Sequence, residues 1–155
     1  MIVHRICKAK YASAIFSGAG GMEASGRWHH KGHPIVYTAQ TLSLCALEYL
    51  VHLGRRDSNI ALVFAQLTIS DDVPVKVLDI STLPANWDAW PPLDATMAFG
   101  DAWLAGSESA VLKAPSALIP SESNFLLNPQ HPDFAQISRS ATMPARFTFD
   151  KRLLP

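Results

Sequence analysis

No excess of charge of either sign marks this chain: thirteen Lys and Arg offset thirteen Asp and Glu. No basic run is present that could neutralise a phosphate backbone, so DNA and RNA are not expected partners. Arg55 and Arg56 adjoin, but Asp57 follows them, and the triplet reads as a solvated loop. Long apolar runs are missing too. No window approaches the ~18 residues needed to cross a bilayer, and the opening Met1, Ile2, Val3, His4 and Arg5 is not the basic segment and apolar stretch of a signal peptide. A cytoplasmic protein is expected, with no membrane partner. Cysteine is scarce: Cys7 and Cys45 lie far apart without CxxC spacing, which fits a reducing compartment and two core thiols.

Other shortages narrow the chemistry. Ser116 lacks the flanking glycines of a nucleophile elbow, which disfavours a hydrolase triad with His52 and Glu48. His29, His30 and His33 cluster without an Asp or Cys at zinc-site spacing, so no metal site is expected.

What is present is a folded α+β chain. Of its 155 residues 48% are hydrophobic and 17% charged, which favours one domain, 1–155, with a substantial core. Ile2 to Cys7 reads as a strand and Ala9 to Phe16 as a short helix. Five of the eight glycines fall between Gly18 and Gly32, where the backbone can approach a ligand closely. Ile35 to Thr38 is a strand, and Thr41 to Leu53 a helix, apolar around most of its circumference and hence expected to be largely buried, ending at Gly54. Ile60 to Ile69 and Val75 to Ile80 are strands, Pro84 to Pro92 a loop carrying Trp87 and Trp90, and Asp94 to Leu104 a helix stopped by Gly106. Ala110 to Lys113 and Ala145 to Asp150 complete the strands, with a helical turn or two at Asp133 to Ser138. The segment punctuated by Pro120, Pro129 and Pro132 carries no assigned element. The sheet should be mixed or antiparallel.

Three residues on one loop-strand-helix unit attract interest. Arg27 sits in the glycine-rich stretch with little apolar surface to pack its stem, and its planar fork suits a phosphate or carboxylate. Glu48 is the only carboxylate between Thr41 and Leu53. A charge there is costly unless paired or functional; the bland alternative is a wet stripe of Glu48 and His52, four residues apart. Tyr37 ends the intervening strand, where an aromatic is ordinary core.

In order along the chain, Gly26, Arg27 and Trp28, then Gly32, Tyr37 and Thr38, the helix bearing Glu48, and Pro115 with Ser116 form one part of a pattern. Asn124 to Pro129 and His131 to Phe134 form the rest. The ordered set resembles the RES-domain family, named for an arginine, a glutamate and a serine that match Arg27, Glu48 and Ser116. Ser121 and Ser123 lie near enough to keep the choice of serine open. Family members often carry Asn after the Arg-Trp pair, where this chain has His29.

The resemblance implies an ADP-ribosyltransferase-like fold and a toxin that depletes NAD, with an Xre-like antitoxin as partner and a homodimer within such a complex as one arrangement. NAD would be substrate, not resident cofactor. It would be cleaved at the nicotinamide-ribose bond with water or phosphate as acceptor. Glu48 would bind the ribose hydroxyls and stabilise the developing cation, and Arg27 would hold the pyrophosphate. Tyr37 would pack against nicotinamide or its ribose, Ser116 would present a hydroxyl to substrate or to Glu48, and Trp28 and Asn124 would contact substrate. A protein mono-ADP-ribosyltransferase and a non-catalytic partner-binding module are the rival readings. Trp87, Trp90 and Trp103 could serve an antitoxin interface, although core or loop packing is the ordinary fate of each.

Overall fold

A computed structural model describes residues 1–53 and 60–153. The Arg55, Arg56 and Asp57 triplet and the Gly54 helix stop lie outside the described residues. Seven strands form one mixed sheet in the order β4-β5-β6-β2-β1-β3-β7. They are β1 (Ile2–Lys8), β2 (Val36–Ala39), β3 (Leu62–Thr68), β4 (Val75–Val77), β5 (Val111–Pro115), β6 (Ser123–Leu127) and β7 (Ala145–Phe147). All neighbours are antiparallel except the edge pair β4 and β5. The helices are α1 (Ala19–Glu23), α2 (Leu42–Leu50), α3 (Asp94–Gly106) and α4 (Phe134–Ser138), so the expected α+β class with a mixed sheet holds.

Burial on both faces explains why the strands read as nearly continuous apolar runs. In β5 and β6 successive side chains alternate between two cores. Val111, Phe125 and Leu127 enter one cluster with Val3, Leu67 and Ile137. Leu112, Ala114 and Leu126 enter another on the opposite face, with Trp28, Trp87, Trp103 and Leu104. A third cluster, under α2, holds Ile6, Ala39, Leu44, Cys45 and Leu62. Tyr37 packs on the second cluster while Ala39, on the same face of β2, belongs to the third. Ala117 and Ile119 divide in the same way after β5. The seam between these two clusters is where the polar side chains of interest gather.

The sheet is thinnest at its middle. β1 and β2 share a single register pair, His4 with Ala39, whereas β1 and β3 pair along their whole length from Ile2 with Thr68 to Lys8 with Leu62.

Several expected elements differ in extent. The 9–16 helix is a 3-10 turn, Ala9–Ala14. The predicted 75–80 strand stops at Val77, because the Asp79 carboxylate accepts from Ser81 N and initiates a 3-10 turn, Ile80–Thr82. α3 runs to Gly106, and Ser107, not a glycine, takes the left-handed position at φ 48°. α2 is shorter than expected, and its expected all-round burial is not met. Leu44 and Cys45 are buried, but Leu47 and Val51 are exposed, because that side of the helix borders a cleft instead of the core. The unassigned proline-punctuated segment holds β6, a central strand bonded to both β2 and β5.

Candidate active site

Glu48 projects from α2, whose N-terminus is fixed by the Thr41 hydroxyl accepting from Leu44 N. One carboxylate oxygen, Oε1, accepts two hydrogen bonds: from Ser116 Oγ at 2.8 Å and from Asn124 Nδ2 at 2.6 Å. Oε2 receives none among the described residues. Ser116 is fully buried, and its Oγ also accepts from the backbone N–H groups of Leu118 and Ile119. With its proton on Glu48 and its lone pairs occupied, the hydroxyl orients the carboxylate and has no capacity left for a ligand. Of the three serines left open by the sequence, Ser116 is the one joined to Glu48. Ser123 contributes instead a backbone N–H to Gln40 Oε1. Asn124 sits on β6 opposite Ala39 and Ala114, on the strand face that carries Leu126.

Arg27 reaches across to the loop 84–92, where its NH1 donates to the carbonyls of Trp87 at 2.8 Å and Ala89 at 3.0 Å. Among the described residues Nε and NH2 have no protein partner, so three of the five N–H groups remain for an anion. Burial lowers the Arg27 pKa, while the charges of Glu48 and Asp88 act against that shift. Arg27, Val51, His52, Asp88, Trp90, Ala117 and Leu118 line a cleft of about 300 Å³. The acid and the guanidinium thus belong to one locality: Val51 and His52 follow Glu48 by one turn, and Ala117 and Leu118 follow its hydrogen-bond partner Ser116.

Trp28 does not contact this cleft, contrary to the expectation of a substrate contact. It is 1% exposed, stacked on Trp87 with ring centroids 5.9 Å apart, and its carbonyl lies where a Cβ on Gly100 would stand 1.7 Å away. An indole with α3 pressed against its backbone is core. Tyr37 is half-buried; its Oη accepts from Trp28 N at 3.1 Å and lies 2.8 Å from His29 Nδ1. Trp87 and Trp103 are buried, whereas Trp90 is 73% exposed with its ring 5.6 Å from that of His52.

The histidines of the glycine-rich stretch have separate partners. His30 bridges Asp101 and Asp94 at 2.6 and 2.9 Å, His33 stands 3.8 Å from Asp101, and His29 pairs with Tyr37 and the Ala24 carbonyl. His52 faces Trp90 and takes no part in a triad with Ser116. Both cysteines are buried and free, and burial pushes the Cys45 thiol up to about 11, which suits core packing and not nucleophilic attack.

One residue at the site escaped the sequence reading. Arg5, in β1, donates from NH1 to the Tyr37 carbonyl at 2.7 Å across the thin joint of the sheet, and its buried Nε has no partner among the described residues. The available signal was a charge in the middle of the apolar strand IVHRICK.

Residues 2–150 match the family described as the RES domain. The chain belongs to the RES-domain family. Arg27, Glu48 and Ser116 all lie within the matched residues. The chain is 43% identical over 137 residues to Toxin Res of Photorhabdus laumondii, covering 86% of this chain and 85% of that protein. It is 38% identical over 154 residues to Toxin Res of Yersinia enterocolitica, with 99% of each covered. Identity to the Prs ADP-ribosylating toxin of a Sphingobium species is 33% over 146 residues, covering 93% of this chain and 89% of that one. The Mycobacterium tuberculosis MbcT-MbcA toxin-antitoxin complex contains a chain of the same fold, at TM-score 0.72 and 16% identity, with 95% of this chain and 84% of that one covered.

Proposed function

We propose that this RES-domain protein is an intracellular toxin that consumes NAD by breaking the nicotinamide-ribose bond, and that an antitoxin protein is its partner. The observation that carries the reading is the Glu48 carboxylate, immobilised through Oε1 by Ser116 and Asn124 beside the cleft that Arg27 lines. Departure of nicotinamide leaves as a neutral base and needs no general acid. The barrier lies in the oxocarbenium-like ribose, which a fixed carboxylate stabilises by a few kcal/mol. Glu48 takes this role and binds the ribose hydroxyls, while the remaining N–H edge of Arg27 takes the pyrophosphate. Tyr37 borders the ribose end, and Asn124 and Ser116 act on substrate through Glu48. Water or inorganic phosphate completes the reaction at the anomeric carbon.

The names of the Toxin Res relatives and the toxin-antitoxin neighbour support the biological half of the reading. Chromatography of NAD incubated with the purified chain, with and without phosphate, tests the chemical half. Free nicotinamide is expected, with ADP-ribose as coproduct in water and its 1-phosphate if phosphate is the acceptor. Intact NAD after prolonged incubation with folded protein would sink it. A second reading, transfer of ADP-ribose to a protein, is favoured by the name of the Sphingobium relative. NAD labelled in its adenylate half distinguishes the two by whether label ends on protein.

A further inference from the structure

The backbone on both sides of Arg27 lies against one hydroxyl. Trp28 N–H donates to Tyr37 Oη, and a Cβ on Gly26 would lie 2.7 Å from that same atom. Gly26 N also donates to the carbonyl of His29, closing a tight bridge around Arg27. The Tyr37 hydroxyl must therefore be oriented for Arg27 to be, and what orients it is His29, which is 3% exposed. His29 Nε2 lies 3.0 Å from the Ala24 carbonyl, which can only accept, so Nε2 carries the proton. Nδ1 then has a lone pair, and Tyr37 O–H donates to it over 2.8 Å. The relay has one direction: Trp28 N–H to Tyr37 Oη, Tyr37 O–H to His29 Nδ1, His29 Nε2–H to Ala24 O.

From this geometry we propose that His29, in its neutral Nε2–H form, is a positioning residue that sets the aim of the Arg27 guanidinium and with it the affinity of the cleft for a diphosphate. The inference rests on the assignment of the pyrophosphate to Arg27. A second proton on His29 would point two donors, Nδ1–H and Trp28 N–H, at one oxygen and leave the Tyr37 hydroxyl proton without its acceptor. Tyr37 from β2, Asp101 from α3, and His30 and His33 of its own loop are the titratable groups that act on this imidazole. Burial, the largest influence, lowers its pKa, so the neutral relay is intact near and above neutrality and fails only in acid.

The test is calorimetric titration of ADP-ribose into the full chain between pH 5 and 8, for the parent, H29A, H29N, Y37F and R27A. Asn at position 29 can place Oδ1 where Nδ1 stands and still accept the Tyr37 proton, but it does not titrate. The parent should bind more weakly only toward the acid end of this range, because burial holds the His29 pKa below its ordinary value. H29A and Y37F should each lose about tenfold at pH 8, and H29N should bind like the parent at pH 8 without the acid decline. Unchanged affinity in both H29A and Y37F, or an acid decline that persists in H29N, would overturn the proposal. If H29A does not fold, Y37F and H29N carry the decision. R27A separates the underlying reading: ADP-ribose bound equally well without the guanidinium removes the pyrophosphate assignment, and the role of His29 with it.

Discussion

Ser116 Oγ and Glu48 Oε1 stand 2.8 Å apart, and the serine hydroxyl is the donor. Two backbone N–H groups already hold the serine oxygen, so its proton has one destination. The hydroxyl is thus spent on fixing an acid, a use that leaves Glu48 as the group of this pair that can face a ribose. S116A removes a donor from Glu48 and an acceptor from Leu118 and Ile119. Thermal or chemical unfolding should report a loss of about 1–3 kcal/mol, and NAD consumption should fall while S116T retains most of it. Equal activity in S116A would separate the serine from the chemistry.

Asn124 is the other donor to the same oxygen, at 2.6 Å. N124D replaces a donor with a second acid at that distance, and like charges so close oppose the ionised pair. NAD turnover should drop at least about tenfold at pH 7, and more steeply than in N124S. A rate in N124D above that of N124S would contradict the orientation of Glu48 described above.

For Arg27, lysine is the informative replacement. Its ammonium cannot bond both loop carbonyls and present a planar edge to a diphosphate. R27K should weaken ADP-ribose binding by about tenfold or more. It should also increase amide exchange in the 84–92 loop, readable by mass spectrometry. Faster exchange without loss of affinity would reduce Arg27 to a loop anchor.

G100A addresses the packing of α3 on Trp28. A Cβ there would lie 1.7 Å from the Trp28 carbonyl, a backbone atom that cannot swing aside. A loss of about 2–4 kcal/mol is expected on unfolding in denaturant. A neutral effect would show that α3 shifts freely over the loop.

Adjacent histidines should titrate in opposite directions. Asp101 and Asp94 raise the pKa of His30, whereas burial lowers that of His29. The stabilisation from His30 is complete below about pH 6.5 and fades as the pH rises through its folded value. His29 works the other way, favouring the unfolded chain as the pH falls below that same reference. NMR titration of the ring protons, assigned with H30Q and H29N, should place the midpoints on either side. Coincident midpoints would contradict both environments.

The strands β1, β2, β3 and β5 were legible because their apolar runs are long enough, and bounded by turn residues, to resist other readings. β6 was not, since the prolines on either side of Ser123–Leu127 suggested loop, and only pairing with β2 and β5 gives that segment its form. Tertiary context decided α2 as well: an apolar surface looks the same in sequence whether it faces a core or a cleft. Arg27, Glu48 and Ser116 could be selected from residue chemistry together with the family pattern. The Asn124 bond to Glu48, the relay through His29 and the location of Arg5 depend on contacts across 76, 8 and 32 residues, and local spacing encodes the first and last of these poorly.

Arg27 and Trp28 are neighbours in the chain, and both grip the same loop, one through the carbonyls of Trp87 and Ala89 and the other through the indole of Trp87. Ordering of that cleft wall is accordingly charged to folding and not to ligand capture. Salt or a competing anion can disturb the polar hold, but the stacked rings keep the wall standing. A nucleotide arriving here would meet a surface already shaped, and its heat of binding should carry little signature of a loop becoming ordered.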